Sequence, residues 1–220
     1  RGRDPVPQVF STGRYAMDDT ITLVLVVGAI VVPVCVVGVA LVVGVALLIR
    51  SNANRAAAFK ATWAALAQAH GLTFDPGSAV QDPTLSGSFN GLPVSLSLTR
   101  YRLSSNSPSY PYTVAQVATA NAGEALIADR KRSHHVGSVG GAEVSIAEPN
   151  AAATYVARGQ PAELVAALLA PDLLPQLAQN AVSHVRLANG QLRVQRPGHQ
   201  SAPEVCLALM NLAAVLVRRV

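Results

Sequence analysis

Residues 85–99 read LSGSFNGLPVSLSLT. Leu85, Gly87 and Phe89 alternate with Ser86 and Ser88; after Asn90-Gly91, Leu92, Val94, Leu96 and Leu98 alternate with Pro93, Ser95, Ser97 and Thr99. A period of two puts one set on each face of a strand, and Asn-Gly tolerates the positive φ of a type I′ turn, so the stretch predicts an antiparallel hairpin. Pro93 cannot donate to a ladder, so one side of the second strand should meet an edge or a bulge. The same grammar recurs later, with Val185 and Leu187 facing Leu192 and Val194 across Asn189-Gly190.

Working outward, residues 54–70 place Phe59, Trp63, Leu66, Ala67 and His70 at helical spacing, and Gly71 ends the run. Gln160-Pro161-Ala162-Glu163 opens a helix to about Ala170, because Pro loses nothing in the first turn and Glu163 complements the dipole. A shorter helix is expected from Pro171 to Gln179. Ser201 followed by Glu204 has the form of a capping box, opening a terminal helix with Val205, Leu209, Leu212 and Leu216 on one face. Further strands are expected over 112–120, 143–147 and 154–157, with a loop over 103–111 and a long loop or poorly formed hairpin over 121–141. No βαβ alternation with glycine-rich turns appears. The expected fold is therefore α+β: a mostly antiparallel sheet with helices packed on one face, preceded by the segment considered next. Trp63, Leu66, Leu209 and Leu212 should cover Leu85, Phe89, Val94, Leu96, Leu98, Val185, Leu187, Leu192 and Val194, with Trp63 the largest buried group.

Upstream, residues 21–49 read ITLVLVVGAIVVPVCVVGVALVVGVALLI, without one charged side chain. A bilayer core about 30 Å thick takes roughly 20 apolar residues in a helix, so the run predicts one N-terminal transmembrane helix. Pro33 predicts a kink or tilt. No ionisable residue interrupts the run, which argues against a pore, a proton relay or a transporter. Ala40 and Gly44 form a small-xxx-small pair through which two spans could dimerise. Residues 1–20 have no apolar periodicity and are expected to be a disordered tail, with the true start at Met17. From that start nothing basic precedes the span, and Arg50, Arg55 and Lys60 follow it. The positive-inside rule then gives a single-pass protein of the plasma (inner) membrane with a cytoplasmic C-terminal domain. The expected division is tail 1–20, span 21–49, soluble α+β domain 54–220.

Trp63-x-x-Leu66-Ala67-x-x-His70-Gly71-Leu72-x-Phe74, then Leu85-Ser86-Gly87-x-Phe89-x-Gly91-x-Pro93-Val94, resembles bacterial single-pass membrane proteins of uncharacterised function. Tyr155-Val156-Ala157, Pro161, Leu168-Leu169 and Pro171 extend the likeness, which covers about 55–215. The resemblance implies an N-terminal anchor and a soluble α+β domain, and it implies no activity.

From Arg50 onward there are fourteen basic and nine acidic residues, scattered rather than striped, and aromatics make up 5% of the chain. That leaves few stacking platforms, so nucleic acid is not an expected partner. Cys35 and Cys206 are expected to be free thiols. Neither phosphate-loop signature is present, and Gly137-Ser138-Val139-Gly140-Gly141 precedes a strand rather than a helix N-terminus. His70, His134, His135, His184 and His199 include no i, i+4 pair, and neither cysteine has a ligand at metal spacing. Catalytic, cofactor and metal residues are therefore expected to be none. Arg130, Lys131 and Arg132 form the one charge cluster, a candidate contact for anionic lipid headgroups. The expected function is a membrane-anchored, non-enzymatic module that binds or scaffolds an unknown protein partner. The alternative is a pocket-containing domain that binds a lipid or small apolar ligand.

Overall fold

The computed structural model describes residues 41–48, 50–51, 57–78, 81–102, 108–133 and 139–220. The chain divides into two units, Arg1–Arg55 and Ala56–Val220. In the first, residues 41–48 and 50–51 are helical, and Leu41, Val42, Val45, Leu47 and Leu48 are exposed.

The second unit begins with a helix over 57–70 (α1) and the strands β1 (Thr73–Asp75), β2 (Thr84–Phe89), β3 (Leu92–Tyr101), β4 (Tyr110–Ala118), β5 (Glu124–Asp129) and β6 (Ala142–Val144). It continues with α2 (Pro149–Thr154), β7 (Tyr155–Gln160), α3 (Ala162–Leu168), α4 (Leu174–Gln179), β8 (His184–Ala188), β9 (Gln191–Pro197) and α5 (Pro203–Val217). All nine strands form one sheet in the order β1-β2-β3-β4-β9-β8-β5-β7-β6, and every neighbouring pair is antiparallel.

Register turns the alternation into two faces. Phe74, Leu85, Leu96, Ala115, Val194, Val185, Ile127, Ala157 and Val144 are successive cross-strand partners, one from each strand. This row joins the main core, which also takes Phe59, Trp63, Leu66, Val165, Leu168, Leu209 and Leu212. α5 lies over β4, β9, β3 and β2, and α3 over β7, β5 and β6. The next row, Thr73, Ser86, Ser95, Gln116, Arg193, Arg186, Leu126, Arg158 and Glu143, faces the other way and is polar except for Leu126.

Both Asn-Gly turns form as their chemistry requires, with φ of 52° and 77° at Asn90 and Gly91 and of 54° and 67° at Asn189 and Gly190. Pro93 pairs only with Ser88; the β4 ladder starts beyond it, at Val94.

The expected fold is corrected in its first part. Among the described residues no helix is long and apolar enough to cross a membrane. The described piece of the 21–49 run is the helix 41–48, and a span needs about 20 residues at 1.5 Å each. Residues 21–40 and 49, Met17 and Ala40 lie outside the described residues; a side chain added at Gly44 would meet open space. The sheet also differs from expectation. It is antiparallel in every pair, and part of the 121–141 stretch, expected to be a long loop or a poorly formed hairpin, is β5, paired on both sides. Ala125 and Ile127 enter the main core while Leu126 and Ala128 are buried on the opposite face, so no alternation marked the strand. The expected capping box does not form. α5 is capped at Ala202 without a side-chain bond, and Pro203, pre-set in φ, opens the first turn.

Candidate functional site

One end of the sheet opens into a cleft of about 470 Å³ lined by residues from four segments: Asp129 and Arg132, Thr154 and Tyr155, Ala178 to Ser183, and Arg196 to Gln200. Each segment has a local reason for its course. Asp129 ends β5 in an Asx turn, its Oδ1 accepting from the Lys131 N–H at 2.9 Å while its carbonyl accepts from the Arg132 N–H at 2.9 Å. Between α4 and β8 the chain reverses at Ala181, whose φ of 47° is left-handed. That conformation costs an alanine about 1–2 kcal/mol, and the Val182 N–H bond to the Leu177 carbonyl at 2.9 Å helps to hold it. Beyond β9, Gln200 is tied on three sides. Its N–H donates to Thr113 Oγ1 at 3.1 Å, its carbonyl accepts from Trp63 Nε1 at 3.1 Å, and its side-chain amide donates to the Pro197 carbonyl at 2.7 Å.

The Asx turn sends the three residues of the basic cluster to different places. Arg130 donates through Nε to the Ala152 carbonyl at 2.8 Å and lies 3.9 Å from Glu143, on a neighbouring cavity of about 260 Å³. Lys131 is exposed. Arg132 alone of the three lines the cleft, as Arg196 does. Neither Arg132 nor Arg196 is within 4.0 Å of a carboxylate among the described residues. Asp129 is the one carboxylate lining the cleft, so its charge balance is positive. Ala178, Ala181, Val182 and Pro197 supply an apolar wall.

Hydroxyls line the back. Tyr155 donates its phenol to the Val182 carbonyl at 3.2 Å; burial, and then the Asp129 charge, push its pKa up. Burial does the same to Tyr112, opposed by the Arg132 guanidinium. Ser183 Oγ lies 2.9 Å from His184 Nδ1, and His184 Nε2 lies 2.9 Å from the Arg132 carbonyl. A carbonyl only accepts, so Nε2 carries a proton toward Arg132, while the Ser183 hydroxyl also donates to the Gln195 carbonyl at 3.2 Å. This places a nucleophile, a base and an orienting group in order, but Ser183 is buried and its own N–H is spent on the Gln195 carbonyl at 2.9 Å. The arrangement latches the start of β8 to the Arg130–Ser133 turn and so positions Arg132.

Arg196, Ser183 and Asp129 carried no motif, because strands far apart in sequence bring them together. The one local signal was Arg132 in the basic run. His134 and His135 lie outside the described residues, and among those described no group of His, Cys, Asp or Glu could hold a metal ion.

No protein-family profile matches the chain, and no curated protein matches it. The crystal structure of the mycobacterial trehalose monomycolate transport factor A, TtfA, is similar over 73% of this chain and 91% of that chain, at 8% identity and a TM-score of 0.47. A likeness at that level carries no argument about what this chain does.

Proposed function

We propose that the Ala56–Val220 unit is a binding module whose cleft takes a small amphiphile with an anionic head, in the chemical class of lipids. The supporting observation is the pairing of Arg132 and Arg196, unneutralised by any carboxylate within 4.0 Å among the described residues, with the apolar wall of Ala178, Ala181, Val182 and Pro197 in one cleft of about 470 Å³. Ligand sites commonly occupy about 300–1,000 Å³ and combine apolar lining with a few converging polar groups. Two guanidinium forks favour a planar or tetrahedral oxyanion, and the apolar wall favours the carbon chain beside it.

Isothermal titration of the full chain with dodecyl phosphate, dodecanoate and dodecanol tests this reading. The two anions should bind and the alcohol should bind far more weakly. Arg196→Gln should weaken anion binding roughly 10- to 100-fold, the worth of one charge-assisted hydrogen bond. Equal affinity for dodecanol, or an unchanged affinity in Arg196→Gln, would refute it.

A further inference from the structure

The face of the sheet opposite α3 and α5 carries an unusual juxtaposition near the Asn189-Gly190 turn. Arg186 of β8 and Arg193 of β9 are direct cross-strand partners. Like charges in that relation destabilise a sheet. The next arginine in the same row, Arg158, is matched by Glu143 at 3.2 Å, its partner on β6. Arg186 and Arg193 have no such match among the described residues. Glu124, at the start of β5, is turned to the Gly140 N–H at 3.4 Å. Arg193 donates to Gln191 Oε1 at 3.1 Å, whereas the Nε of Arg186 is buried with no acceptor. Arg186, Ala188, Asn189, Gln191 and Arg193 together line a concavity of about 120 Å³.

We propose that Arg186 and Arg193 form a binding site for a phosphate-type oxyanion. One such group between two guanidinium forks cancels the repulsion, gives the buried Nε–H an acceptor, and leaves the side-chain amide of Asn189 to complete the shell. The site lies at the turn end of the β8–β9 hairpin, and the cleft of Ser183 and Arg196 lies at the other end. The two proposals therefore stand or fall separately.

Thermal melts of the full chain, in inorganic phosphate and in chloride at matched ionic strength, test the site with free phosphate as source. A one-site ligand at ten times its dissociation constant should raise the melting temperature by about 3–6 °C. Co-sedimentation with phosphatidylcholine vesicles, with and without phosphatidic acid, tests a lipid phosphomonoester as source. The proposal holds if either response occurs in the parent, is lost in Arg193→Gln and survives in Arg196→Gln. The first response assigns free phosphate and the second a headgroup. It is overturned if the parent shows neither response, or if Arg193→Gln keeps the response. Retention in Arg193→Gln with loss in Arg196→Gln would move the anion to the sheet-end cleft.

Discussion

Trp63 joins the first helix to the wall of the cleft through a single side chain. Its ring is wholly buried, 4.7 Å from Phe59 between centroids, and its indole N–H donates to the Gln200 carbonyl at 3.1 Å. Trp63→Ala should cost about 3–5 kcal/mol through the cavity it leaves and the hydrogen bond it removes from the Gln200 carbonyl, which keeps the Cys206 thiol as a donor at 3.5 Å. Chemical denaturation of the full chain measures that cost. A variant within about 0.5 kcal/mol of the parent would detach α1 from the stability of the domain. Burial of Trp63 was legible from its helical spacing with Phe59, Leu66 and Ala67. Its bond to Gln200 was not, since nothing in the neighbourhood of Gln200 announces a free carbonyl. Arg132 and Arg196 divide the same way: one sat in a visible basic run, the other in an ordinary strand.

Among the elements, the two kinds of glycine separate local from tertiary demands. Gly91 has φ of 77° and open space where a Cβ would stand, so Gly91→Ala pays only the left-handed penalty of about 1–2 kcal/mol. Gly159, in β7, has φ of 155°, and a Cβ there would stand 2.2 Å from the Glu124 carbonyl oxygen and 2.8 Å from Ala125 Cα. Those neighbours are backbone and cannot step aside, so Gly159→Ala should lose a further 1–3 kcal/mol or so by overpacking. Urea midpoints of the two variants make the comparison; equal midpoints would mean that β5 and β7 separate easily. Asn90-Gly91 was readable because a turn type dictates its residues. Gly159 was not, because its constraint is another strand, and β5 was missed because burial on both faces erases the period of two.

At the scale of the molecule, the four ion pairs among the described residues lie near the surface and contribute little, about 0–1 kcal/mol each. The buried titratable groups set the pH response. Burial pushes the Cys206 thiol up from 9.0 to about 11, and raises the Tyr112 and Tyr155 phenols above 10.0. In the unfolded chain these groups release their protons first, so between those values the folded state holds more protons and stability falls as pH rises. Melting temperature should hold up to about pH 9 and then decline toward pH 11, less steeply in Cys206→Ala. A parallel decline in the variant would remove Cys206 from the account. At this scale the amino-acid order by itself determined the α+β class, both hairpins with their registers, the apolar stripes of α1 and α5, and the core face of the strands they cover. These are consequences of periodicity and turn chemistry within a few neighbouring residues. Only the tertiary structure decided that the late β8–β9 hairpin lies between β4 and β5, and thereby joined nine strands into one sheet. That single placement assembles the cleft at one end, whereas Arg186 stands beside Arg193 through the hairpin's own register. Strand neighbours across a sheet are chosen by the total area buried once every helix is docked, a quantity that no local stretch of sequence contains.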